Sequence, residues 1–207
     1  MRLINQSYQI LTDINSKEIL KHIERSGRIS YKSEDKITED SAEQFIKMII
    51  NRGHLSVIEH YSFSVKFITD RGISHELVRH RLASYTQESS RYCNYSKNKF
   101  GNEITFIDIS HHFKNDGQKE LWLSSLKIAE NIYMSLINSG CSPEIARSVL
   151  PNSLKTEIVV TANLREWKHL LTLRTDKAAH PQMRELMIPF LREIKGKIPV
   201  VFNDIVN

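Results

Sequence analysis

Two hydrophobic periods alternate along this chain, and each marks out a set of elements. After Ser41, the apolar residues Phe45, Met48 and Ile49 return at helical spacing. Ser41 with Gln44 three positions on reads as a capping box, and Gly53 as the stop, which predicts a helix over this stretch. From Tyr61 to Thr69 the period drops to two. Tyr61, Phe63, Val65 and Phe67 fall on one face and Ser62, Ser64 and Lys66 on the other, the signature of a half-buried strand. Thr105 to Ile109 is a short strand candidate, and Gln118 to Asn138 is a long amphipathic helix closed by Gly140. Pro143 opens a short helix that has to end before Pro151, because proline disfavours helix in the residue preceding it.

Lys155 to Ala162 reads as a further strand. Asn163 and Glu166 cap the segment LREWKHLLTLRT, in which Trp167, Leu170, Leu171 and Leu173 carry the packing, and Pro181 sits in the first turn of the last main helix. The chain has no repeat, low-complexity tract or linker rich in Pro, Gly and Ser, so one continuous domain is expected. The predicted class is α+β, a helix-dominated single domain with a small, mostly antiparallel sheet.

One segment breaks the amphipathic rule. Residues 79 to 91 read RHRLASYTQESSR. On a helix continuing from Ile73 and Leu77, the side chains of Arg79, His80 and Arg81 would sweep roughly 200° of the circumference. That leaves little of an apolar stripe and points to anions against more than one face. The bland alternative is a solvated basic face with Glu76 paired to Arg79 or His80. Against it stands the polar loop downstream, where Thr86, Gln87, Glu88, Ser89, Ser90 and Arg91 offer the hydroxyl, amide and guanidinium groups that grip a phosphate.

The composition narrows the field without deciding it. The 207 residues are 40% hydrophobic and 26% charged, as in an ordinary soluble globular protein. No apolar run is long enough to span a bilayer, and the opening residues have no basic segment followed by an apolar one, so a cytoplasmic location without membrane association is expected. Cys93 and Cys141 are too few for a disulfide framework or a Cys-rich zinc site. A net charge of +5 and a pI near 9.1 favour polyanionic partners. The basic residues are nevertheless spread along the whole chain, which weakens a basic nucleic-acid-binding module as the rival from another class.

Other candidates are ambiguous taken singly. In GHLSVIEHYSF, His54 and His60 crowd around Glu59, but Ser56 stands where an inverted zincin pattern needs histidine, so no metal is expected. Arg165 and His169 are an i, i+4 pair. Arg147 and Arg174 lie near helix ends, where a cation is favoured by the macrodipole whether or not it also binds a ligand. Cys93 is either a packing residue beside Tyr92 and Tyr95 or a nucleophile with a lowered pKa.

Arg79-His80-Arg81, followed by seven residues and Ser89, resembles the signature of flavin-dependent thymidylate synthases. GHLSVIEHYSF, ASYTQESSRYCNY, ARSVLP and TANLREWKHLLTLR are similar to further segments of that family, in the family's order, across nearly the whole chain. The resemblance implies that residues 1–207 form one such domain and assemble as a homotetramer with active sites shared between subunits. It also implies FAD as cofactor, with dUMP, methylenetetrahydrofolate and NADPH as substrates. The roles it implies place Arg79, His80, Arg81, His54, Ser56, Asn163, Arg165 and His169 around the flavin, with Gln87 able to serve flavin or nucleotide. Glu76, Gln87, Glu88, Ser89, Ser90, Arg91, Arg147 and Arg79 would hold dUMP. Arg174 would lie by the pyrimidine as the catalytic residue. The nearest rival is a thymidylate synthase in which Cys93 attacks the pyrimidine covalently.

Overall fold

A computed structural model of the chain describes residues 1–97 and 101–206. In chain order its principal elements are β1 (Arg2–Ile4), β2 (Ser7–Ile10), α1 (Ser16–Arg28), α2 (Ser41–Asn51), β3 (Ser62–Asp70), α3 (Arg71–Leu77) and β4 (Ala83–Gln87). There follow β5 (Thr105–Ile107), α4 (Asp116–Asn138), α5 (Pro143–Ala146), β6 (Lys155–Asn163), α6 (Leu164–Thr175), α7 (Pro181–Lys197) and α8 (Pro199–Phe202). The class is α+β and helix-dominated, with an antiparallel four-stranded sheet in the order β2-β3-β6-β4 and a separate parallel pair, β1-β5. Among the described residues no helix is long and apolar enough to cross a membrane.

The chain divides into two compact units. One takes Met1–Ser7, Phe67–Arg79 and Thr86–Ile158, and the other Tyr8–Lys66, His80–Tyr85 and Val159–Asn207. In the first unit, the register Leu3↔Phe106 of the parallel pair sets Phe106 into a cluster with Ile104, Leu126, Tyr133, Ala146 and Leu154. In the second, the core is built on Trp167. Its ring stacks on Phe63 at 5.0 Å, meets Phe190 edge-on at 5.4 Å, and its Nε1–H donates to the Phe63 carbonyl at 3.1 Å. Helices α1 and α2 pack beside it through a close approach at Gly27, where an added Cβ would stand 2.7 Å from Val57 Cγ1 and 2.8 Å from a Phe45 ring carbon.

The period-two strand behaves as its sequence dictates, with Phe63, Val65 and Phe67 buried on one face of β3. The stop at Gly53 is equally plain, since its φ of 73° lies in the left-handed region that favours glycine.

Four local expectations are corrected. First, Ser41 does not cap α2. Asp40 holds the cap position, while the Ser41 hydroxyl accepts from the Thr38 amide and donates to the buried Glu24 carboxylate, 17 residues away in sequence. Second, Arg79, His80 and Arg81 are not on a helix, because α3 ends at Leu77 and the chain turns before β4. The helix closes at the Val78 cap, whose amide bonds back to the Ser74 and Glu76 carbonyls, and in the turn that follows His80 is buried while Arg79 and Arg81 are exposed. Third, Thr86 and Gln87 belong to β4 and not to a loop, with Ala83, Tyr85 and Gln87 more buried than Ser84 and Thr86. Fourth, Leu173 is 49% exposed and does not share the packing of Trp167, Leu170 and Leu171, because α6 turns its outer face to solvent there.

Candidate active site

Within the second unit, α6 begins where the Asn163 side chain accepts the Glu166 amide at 2.9 Å. That cap sets Arg165 and His169 one turn apart. Together with Asn163, Glu166, Lys168 and Thr172 of the same region and Leu55, Glu59 and Leu82, they line a cleft of about 520 Å³. Arg165 donates to Glu59 at 2.6 Å, but both side chains are about half exposed, so solvent screens the pair and it adds little stability. Lys168 is held by the Val201 carbonyl at 2.8 Å and by Asp204.

Behind this cleft lies a buried relay. His80 is 5% exposed and Glu166 6%. Arg174 Nε donates to His80 Nε2 at 3.0 Å, and His80 Nδ1 lies 3.2 Å from Glu166 Oε1. A guanidinium only donates, so Nε2 must carry the lone pair and the ring proton sits on Nδ1, where it donates to Glu166. Burial, then the Arg174 charge, then His169 lower the His80 pKa from 6.5 to about 4. His80 and Glu166 are therefore a neutral imidazole hydrogen-bonded to a carboxylate, not an ion pair. Burial pushes the Glu166 carboxyl above its usual range, opposed by His169 and Arg165. The Tyr85 hydroxyl donates to the His80 carbonyl at 2.6 Å and fixes the backbone, while burial and then Glu166 raise its own pKa to about 12.

The ligand atoms of His80, Glu166 and His169 lie within 4.8 Å of one another, close enough to hold a cation. Both ring nitrogens of His80 are already engaged, however, and the Arg174 guanidinium supplies the positive charge at that place.

A second group of polar residues belongs to the first unit. Gln87 spends both amide protons, donating to Ser74 Oγ at 2.8 Å and Thr156 Oγ1 at 3.1 Å. Glu88 accepts from Lys155 at 3.0 Å and from the Tyr95 hydroxyl at 3.3 Å. Burial works against the Lys155 charge, but the bonds and charges of Glu157 and Glu88 outweigh it and raise its pKa. Arg147 Nη1 donates to the buried Ser90 hydroxyl at 3.1 Å. The Ser89 carbonyl turns the chain by accepting the Tyr92 and Cys93 amides. Arg91 is exposed and reaches Glu144 at 3.5 Å. Cys93 packs against the cluster of Tyr95, Phe106 and Tyr133.

The structure thus gathers Asn163, Arg165, His169, His80 and Arg174 in one place, and Gln87, Glu88, Ser89, Ser90, Arg91 and Arg147 along one polar run. From the turn between α2 and β3, Leu55 and Glu59 line the cleft, whereas His54 and Ser56 are exposed. Arg79 and Arg81 are exposed and Glu76 is half-buried. In the sequence Glu166 reads only as a capping residue, Tyr95 as a packing neighbour of Cys93 and Lys155 as the start of a strand, with no site role for them or for Thr156. Nothing in the neighbourhood of Glu166 announces a partner 86 positions earlier. Lys155 opens β6 on the face opposite the buried Thr156 and Ile158, and its partner Glu88 lies 67 positions earlier.

Comparison with known proteins adds an independent line. A protein of Geobacter sulfurreducens named flavin-dependent thymidylate synthase is 34% identical over 172 residues, 82% of this chain and 72% of that protein. Proteins with the same name from Pyrococcus furiosus and Pyrococcus abyssi are 37% and 38% identical, over 81% and 80% of this chain and 68% and 67% of theirs. Residues 11–200 match the thymidylate synthase complementing protein family, so both the cleft with its buried relay and the polar run lie within the matched span, and the chain belongs to that family.

Proposed function

We propose that this chain is a flavin-dependent thymidylate synthase. It would convert dUMP, methylenetetrahydrofolate, NADPH and a proton to dTMP, tetrahydrofolate and NADP⁺, with FAD bound in a homotetramer whose sites are shared between subunits. The names of its relatives support the activity class. The observation that carries the reading furthest is the hydrogen bond between Arg174 and a neutral, buried His80, residues 94 positions apart that converge on one spot.

The cleft suits a flavin. Asn163, Arg165, Lys168 and His169 supply amide, cationic and imidazole donors for a phosphorylated group, and Leu55 and Leu82 supply apolar surface for a planar ring. Arg79, Arg81, His54 and Ser56 are solvent-facing and can complete such a site on the same ligand or across a subunit contact. When bound, the flavin supplies the hydride drawn from NADPH.

The chain's own contribution is binding, orientation and charge. Arg147 with Ser90, and Ser89 with Arg91, supply guanidinium and hydroxyl groups for the nucleotide's phosphate and sugar. Gln87 and Glu88 belong to the same polar run, and Glu76 is assigned to the nucleotide by the family resemblance. Arg174 is assigned to the pyrimidine, where its charge stabilises the anion that develops at N3 and O4 as carbon 5 becomes nucleophilic. A covalent route through Cys93 finds less support, because that side chain packs against an apolar cluster.

The test is to purify the protein and record its visible spectrum. Flavin absorbance that bleaches with NADPH, together with dTMP formed from dUMP and methylenetetrahydrofolate, is the expected result. A colourless protein that makes no dTMP overturns the reading, and salt-sensitive oligonucleotide affinity in its place would restore the nucleic-acid alternative.

A further inference from the structure

We infer that Glu166 is a positioning residue for Arg174, acting through the tautomer of His80. The inference rests on the reading of Arg174 as the group beside the pyrimidine. Glu166 and Arg174 stand eight residues apart on α6, about 12 Å along the helix axis. His80, arriving from a distant part of the sequence, bridges them, with its Nδ1 on Glu166 and its Nε2 on Arg174.

Only one arrangement of the ring proton satisfies both neighbours. With the proton on Nε2, two donors would face each other at the 3.0 Å contact with Arg174, and a lone pair would face the carboxylate of Glu166 at 3.2 Å. With the proton on Nδ1, both contacts are hydrogen bonds. Burial by itself would keep the imidazole neutral but would not orient it, whereas an acceptor at the position of Glu166 does. The ring then presents a fixed lone pair that ties down Nε of Arg174. Because the guanidinium is planar, tying Nε restrains the direction of the remaining donors. Glu166 is itself held, since its backbone amide is bonded to Asn163. Also at the ring are His169, edge-on at 5.6 Å, and Tyr85, whose hydroxyl is bonded to the His80 carbonyl.

The measurement is ¹⁵N NMR of the histidine rings in the flavin-loaded protein, with His80 assigned by its loss in His80→Asn, set beside steady-state kinetics of two variants. Wild type should show His80 neutral near pH 7 with the proton on Nδ1. Glu166→Gln retains an acceptor, so its tautomer and kcat should stay within about twofold of wild type. Glu166→Leu removes the acceptor, and kcat should fall about ten- to hundredfold, as misoriented catalytic groups do, with the dUMP KM little changed.

A wild-type His80 protonated on Nε2, or charged, overturns the inference even if no variant folds. So does an unchanged kcat in Glu166→Leu, or an equal loss in both variants. A fully active Arg174→Ala would instead remove the assignment of Arg174 itself. An inactive Arg174→Ala beside a fully active Glu166→Leu would sink the role of Glu166 alone.

Discussion

The buried imidazole of His80 ties stability to pH in a way that can be worked through. Its pKa falls from 6.5 in an unfolded chain to about 4 in the fold, because burial and the Arg174 charge disfavour the imidazolium. As pH drops, the unfolded chain therefore takes up this proton first. The contribution of His80 to stability is complete above about pH 6.5, declines at about 1.4 kcal/mol per pH unit below it, and is exhausted near pH 4. Between pH 7.5 and pH 5 the loss from this one group is about 2 kcal/mol. Urea denaturation of wild type and His80→Gln at both pH values, at one protein concentration, isolates it. Glutamine can bridge Glu166 and Arg174 without titrating, and the remaining histidines contribute to both proteins alike. Wild type should lose about 2 kcal/mol more than the variant on acidification, with equal urea slopes. Parallel losses would mean that His80 titrates normally in the folded protein and that its Nε2 is not reserved for Arg174.

Arg174→Ala should leave flavin bound while lowering turnover by about a hundredfold, the scale of losing one charge-stabilising donor; spectra and steady-state rates check both halves. Arg91→Ala should weaken dUMP binding by about ten- to hundredfold, as when a charge-assisted contact is lost. Its urea midpoint should hardly move, since the pair with Glu144 is about half exposed on both sides; equilibrium titration with dUMP reads the first outcome and denaturation the second. Gly27→Ala should lower stability by about 1–3 kcal/mol through overpacking against Val57 and Phe45, seen as a lower urea midpoint at constant slope.

Much of the fold was legible because its elements are set by near neighbours. The alternation of Phe63, Val65 and Phe67, the left-handed stop at Gly53 and the Asn163 cap each depend on residues within a turn or two, and each appears where the pattern puts it. Legibility failed where a distant partner took over. Ser41 looks like a cap, but Glu24 claims its hydroxyl. The run at Arg79–Arg81 looks like a helix face, but α3 ends at Leu77 and the run lies in a turn, with His80 drawn inward to Glu166 and Arg174.

The same division runs through the candidate site. From its sequence alone the chain revealed which chemical groups it owns and which family's signature they resemble, because guanidinium, imidazole and amide groups at fixed spacings are a one-dimensional fact. Only the tertiary structure decided that His80 is buried, that its Nε2 meets Arg174 and that Glu166 is the partner of its Nδ1. Those are consequences of desolvation and of donor and acceptor geometry among residues 86 and 94 positions apart, distances over which no local pattern carries information.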